Sequence, residues 1–92
     1  MRANVTLPGD LTLEAHTIDI SLNGLSCRVP YALDTGQSCT IELDLKKFGS
    51  SYVELQTVVR SCRPVPDGKF EAGLEFLNTP ENIMEILQTL LR

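Results

Sequence analysis

The sequence predicts a mainly β fold, a six-stranded antiparallel β-barrel with one C-terminal α-helix. Three observations predict it. Six segments carry apolar residues at alternate positions, turn residues punctuate those segments, and the apolar period lengthens to that of a helix after Asn78. With 92 residues, 42% of them apolar, the chain suits a single domain over 1–92 with one core.

The elements follow in order. Ala3, Val5 and Leu7 alternate with Asn4 and Thr6 as a first strand, and Pro8-Gly9-Asp10 turns the chain. Leu11, Leu13 and Ala15 alternate with Thr12, Glu14 and His16 in a second strand that runs into Ile18 and Asp19. A third starts near Gly24, with Leu25, Cys27 and Val29 on one face, and Pro30 ends it because proline offers no ladder donor. After the Leu33-Asp34-Thr35-Gly36-Gln37 turn, Cys39, Ile41, Leu43 and Leu45 give the cleanest alternation of the chain. Phe48-Gly49-Ser50-Ser51 reads as the next turn. Val53, Leu55, Thr57 and Val59 then share a face opposite Glu54, Gln56, Val58 and Arg60. Pro66-Asp67-Gly68 forms a loop tip, and Phe70, Ala72, Leu74 and Phe76 return as the sixth strand. Strands therefore occupy about 3–77 and a helix about 80–91. Thr79 is the expected N-cap, Pro80 the first helical residue and Glu81 a favourable charge at the positive end of the helix dipole. Ile83, Ile86, Leu87 and Leu90 form one stripe that closes over an apolar opening, while Met84 and Leu91 lie off its centre, available to a partner or a second copy.

Composition excludes several functions. The formal charge is −4, and eight Lys and Arg are scattered with only Lys46-Lys47 adjacent, so no basic face for DNA or RNA is expected. No apolar run approaches the ~20 residues that span a bilayer. Met1-Arg2-Ala3-Asn4-Val5 lacks the apolar stretch of a secretory signal, and a cytoplasmic location is expected. Cys27, Cys39 and Cys62 are widely spaced and His16 is the single imidazole, a poor set for zinc. Cys27 and Cys39 read as reduced core residues, and Cys62 as more exposed. No nucleophile elbow, P-loop or His-nucleophile pairing is present, and the Glu42/Asp44 and Glu71/Glu75 pairs read as solvated strand faces, so no enzyme activity is expected.

The segment that concentrates polar chemistry is Asp19-Ile20-Ser21-Leu22-Asn23-Gly24-Leu25. A carboxylate, a hydroxyl and a glycine meet where one strand gives way to the next. A carboxylate accepts two parallel N–H bonds, a hydroxyl donates or accepts, and glycine permits positive φ or close backbone approach. The plain alternative is a turn whose side chains bond their own backbone.

In this order of strands, the segment resembles the (Asp/Asn)-x-Ser-x-x-Gly motif of the PilZ domain family. Leu33-Asp34-Thr35-Gly36 before a strand, the Val58-Val59-Arg60 strand and Ala72-Gly73-Leu74-Glu75-Phe76 before the final helix extend the resemblance over nearly the whole chain. The resemblance implies a six-stranded PilZ-like barrel and binding of cyclic di-GMP, with the signal relayed to a partner protein or attached domain. It implies that Asp19 pairs with a guanine edge, that Ser21 bonds near guanine or phosphate, and that Gly24 shapes the turn. The family's second element, Arg-x-x-x-Arg before the first strand, is absent. Arg2 matches its second arginine, and the first would lie upstream of Met1. Losing one bidentate arginine contact costs roughly 1–3 kcal/mol. Arg60 and Arg63 are ordinary outward residues unless the barrel brings them near Ser21, where they could replace lost cations. The competing expectation is a degenerate PilZ adaptor that binds no nucleotide and works through protein contacts in motility or pilus assembly.

Overall fold

A computed structural model describes residues 2–46 and 52–90. Six strands run β1 (Arg2–Thr6), β2 (Thr12–Ile20), β3 (Gly24–Val29), β4 (Ser38–Asp44), β5 (Tyr52–Pro64) and β6 (Phe70–Leu77), followed by helix α1 (Glu81–Leu90). They close into an antiparallel barrel in the order β1-β2-β3-β6-β5-β4, with β4 pairing back onto β1. Closure leaves none of the six described strands with an edge open to other chains.

The alternation explains the closure. Val5, Leu13, Leu25, Cys27, Val29, Ile41, Leu43, Val53, Leu55, Val59 and Leu74 all point inward and are buried, while their strand neighbours face out. Each buried aliphatic side chain contributes about 1.5–3 kcal/mol over its exposed state. Thr57 is the one buried polar side chain among the described residues, and its hydroxyl is satisfied by donating to the Cys39 carbonyl at 2.9 Å. Burial pushes the Cys27 thiol up to about 12, with Cys39 and Cys62 adding to the rise. The Cys39 thiol is raised too, again by burial, against an opposing hydrogen bond between it and the Thr57 hydroxyl. Both are core residues, as expected.

Helix α1 lays Leu87, fully buried, onto the core, with Ile83 and Ile86 packed beside it. The helix starts one residue later than expected. Met84 N–H donates to the Pro80 carbonyl at 3.0 Å, so Pro80 rather than Thr79 is the half-in residue at the start. The expected Phe48-Gly49-Ser50-Ser51 turn, the Leu90 side chain and Leu91 lie outside the described residues.

Two bulges interrupt the ladders. The β2–β3 register shifts between Thr17 and Asp19, and the β5–β6 register shifts between Val59 and Ser61. The first leaves Ile18 on its outward parity, 50% exposed, and brings Asp19 out opposite Ser26 and Ile20 in opposite Leu25. An unbroken strand into Asp19 would have kept the β2 alternation intact, and the extra residue reverses it locally.

Candidate functional site

The β2–β3 connection is a tight hairpin built by its own sequence. Ile20 and Leu25 pair across it, and Ser21 N–H donates to the Gly24 carbonyl at 2.8 Å. The Ser21 hydroxyl donates to the same carbonyl at 3.2 Å and accepts from Asn23 N–H at 3.3 Å. Ser21 thus uses its side chain to hold the turn, as serine commonly does. The tip is tied to the barrel by Phe76 N–H, which donates to the Asn23 carbonyl at 2.8 Å.

Gly24 is required by crowding and not by backbone handedness. Its φ is not in the left-handed region, whereas Gly9, Gly36 and Gly68 do adopt positive φ at their turns. A Cβ on Gly24 would collide with the backbone carbonyl of Leu74 on β6. Of the two reasons for a glycine at this position, close backbone approach applies and positive φ does not.

Asp19 sits opposite Ser26 on β3, immediately after the bulge. It is exposed, and no hydrogen bond or ion pair engages its carboxylate among the described residues. Asp19, Ile20, Ser21, Gly24, Leu25 and Ser26 line a depression of about 200 Å³ on the barrel surface. Three of the four expected ligand residues therefore meet. Ser26, which was not singled out from the sequence, joins them because it lies two residues beyond Gly24 on the outward parity of β3.

Arg2 is placed elsewhere. It pairs with His16 in the β1–β2 ladder and lines a separate groove of about 260 Å³ with Asn4, Glu14, His16, Glu42, Asp44 and Tyr52. Asp19 lies three residues beyond His16, about 10 Å along the strand.

The other two candidate cations are engaged. Arg60 forms a two-pronged ion pair with Glu75, Nε and Nη2 donating at 3.0 and 3.2 Å. That hydrogen bond and charge hold the Glu75 carboxyl below its ordinary value and raise Arg60. Glu75 lies directly opposite Gly24, so the barrel does bring Arg60 to the side of the hairpin. Arg63 pairs with Glu71 at 3.3 Å, farther along the same sheet.

Among the described residues no three His, Cys, Asp or Glu side chains are grouped to hold a metal, and no helix is long and apolar enough to cross a membrane. What the hairpin offers instead is hydrogen-bond chemistry: a free carboxylate, hydroxyls and bare backbone.

A comparison with curated proteins gave no match. Among solved structures, the chain is similar to the PilZ domain with c-di-GMP of YcgR from Escherichia coli. The TM-score is 0.79 at 22% identity, covering 97% of this chain and 76% of that one. At that identity the likeness concerns the fold. The PilZ domain family matches residues 2–92. The closed six-stranded barrel, its C-terminal helix and the Asp19-x-Ser21-x-x-Gly24 hairpin agree with that match, and the chain belongs to the PilZ domain family, a family of non-catalytic binding modules.

Proposed function

We propose that this domain binds cyclic di-GMP at the β2–β3 hairpin and relays the binding to a partner protein or attached domain. The observation that carries the reading is the depression where Asp19, Ser21 and Gly24 meet with the Asp19 carboxylate unengaged. A guanine presents N1–H and N2–H side by side, and one carboxylate accepts both. Ser26 adds a second hydroxyl within the same depression, and the bare Gly24 backbone lets a ring approach closely. The family resemblance supports the same ligand. Because Phe76 N–H holds the Asn23 carbonyl, a ligand that loads the hairpin also loads the end of β6 just before α1. That link is the route by which binding would reach a docking surface.

One observation favours the adaptor reading. Arg2 faces a groove lined by Glu14, Glu42 and Asp44 rather than the Asp19 depression. Without a cation at the ligand, a dianion meets a domain of net charge −4.

Titration calorimetry with cyclic di-GMP decides between them. Saturable heat that is lost in Asp19→Ala supports the binding reading. No heat at high micromolar ligand, with the chain N-terminal of Arg2 included wherever the natural protein has one, supports the adaptor.

A further inference from the structure

The two bulges of the barrel bracket one row of outward residues. Asp19 on β2 faces Ser26 on β3, Ser26 faces Gly73 on β6, and Gly73 faces Ser61 on β5. One bulge precedes Asp19 and the other precedes Ser61, at opposite ends of the row. Bulges re-aim side chains and concentrate beside functional sites. Four strands at about 4.8 Å spacing make the row about 14 Å wide. Its floor is low. Gly24 and Gly73 carry no side chains, and a Cβ on Gly73 would lie 2.6 Å from the Ser61 hydroxyl that leans over it. The exposed Ile18 forms an apolar rim on the Asp19 side. At the far side stands Arg60, the bulged residue of β5, bonded across to Glu75, which is itself opposite Gly24.

We propose that the nucleotide site continues from the hairpin across the outer face of β3, β6 and β5, and that Arg60 exchanges its bond with Glu75 for an anionic group of the ligand. The proposal rests on the reading of Asp19 and Ser21 as a cyclic dinucleotide site and adds to it the missing cation. Arg60 suits the exchange because its pair is cheap to open. Both side chains are solvent-exposed, at 59% and 46%, and exposed pairs are weak. A phosphodiester offers the same two-pronged geometry with a charge that Glu75 repels. Arg28 and Arg63 are held one row away by Asp67 and Glu71. Glu75 therefore acts as a placeholder: it orients the guanidinium in the empty domain and competes for it when ligand arrives.

The test is cyclic di-GMP affinity by titration calorimetry at fixed ionic strength for the unaltered domain, Arg60→Ala, Arg60→Lys, Glu75→Gln and Arg63→Ala. Arg60→Ala is expected to weaken binding about tenfold, and Arg60→Lys less, because lysine keeps the charge without the fork. Glu75→Gln is expected to tighten binding about threefold, since it removes both the competitor and the like charge. Arg63→Ala is expected to stay within about twofold, as its charge lies a row away and is screened. A purely structural pair predicts the same sign for Arg60→Ala and Glu75→Gln, and that result overturns the proposal. Binding abolished by Asp19→Ala but untouched by Arg60→Ala overturns it alone and leaves the functional reading standing. No binding by the unaltered domain overturns both. If Arg60→Ala does not fold, the opposite signs expected of Arg60→Lys and Glu75→Gln decide.

Discussion

Two concave polar regions of the barrel differ in what they offer, and the larger of the two is the poorer nucleotide site. The β1–β2–β4 groove holds about 260 Å³ and gathers Glu14, Glu42 and Asp44 around Arg2 and His16. The β2–β3 depression holds about 200 Å³ and presents one carboxylate, two hydroxyls and a glycine. In the groove, Asn4 donates to Glu42 at 3.5 Å and the acids outnumber the cations. An anionic ligand is repelled there. In the depression a single carboxylate matches the donor edge of a guanine without accumulating negative charge. What separates the regions is not size but the ratio of donors and bare backbone to carboxylates.

The largest effect that would break the contrast lies at Gly24. Gly24→Ala forces a Cβ against the Leu74 carbonyl, and overpacking of this kind costs about 3 kcal/mol. Urea unfolding should show it as a lower midpoint, together with loss of ligand binding. Gly9→Ala, at a turn with open space around it, meets no such contact and should differ from Gly24→Ala by lacking any effect on binding. Asp19→Ala comes next, with a loss of about 2 kcal/mol in cyclic di-GMP binding, roughly thirtyfold, and no change in unfolding midpoint. Glu14→Gln in the groove should leave affinity unchanged or slightly improved in the same titration. Ser21→Ala removes both a ligand contact and two bonds that hold the hairpin, so affinity and stability should each fall by about 1 kcal/mol.

How much of this was legible before the structure follows from what each residue answers to. Ile41, Leu43, Val53 and Leu55 alternate because a barrel wall has one wet and one dry face, and that rule is local to each strand. Asp19, Ser21 and Gly24 were legible as a group because one hairpin positions all three. The bulges were not, since an extra residue at Ile18 or Arg60 leaves no mark in composition. Gly24 was legible as a glycine, but its reason lies in Leu74, fifty residues away in sequence. The separation of Arg2 from Asp19 is a matter of ladder register, which periodicity does not fix across strands. Arg60 looked like any outward arginine until β6 placed Glu75 between it and Gly24.

The smallest expected effects concern the charges at the margins. Arg2→Ala should change affinity by under about 0.5 kcal/mol, because Arg2 lines the groove and acts on the hairpin only through screened distance. A much larger loss in calorimetry would join the two regions into one site. The Arg60–Glu75 pair gives a pH signature. Glu75 titrates below its ordinary value in the folded domain, so the pair's stabilisation is present above the ordinary carboxylate range and fades as pH falls through the folded value. The difference in unfolding midpoint between the unaltered domain and Glu75→Gln should shrink on acidification and be flat near neutrality.

The central claim is that ligand selects the hairpin face over the acidic groove. Backbone amide shifts followed by NMR during titration with cyclic di-GMP test it most directly. Saturable shifts are expected at Asp19, Ser21, Gly24, Ser26 and Gly73, with Asn4, Glu14 and Glu42 unmoved. Shifts centred on Asn4, Glu14 and Glu42, or none at any ligand concentration, would contradict it.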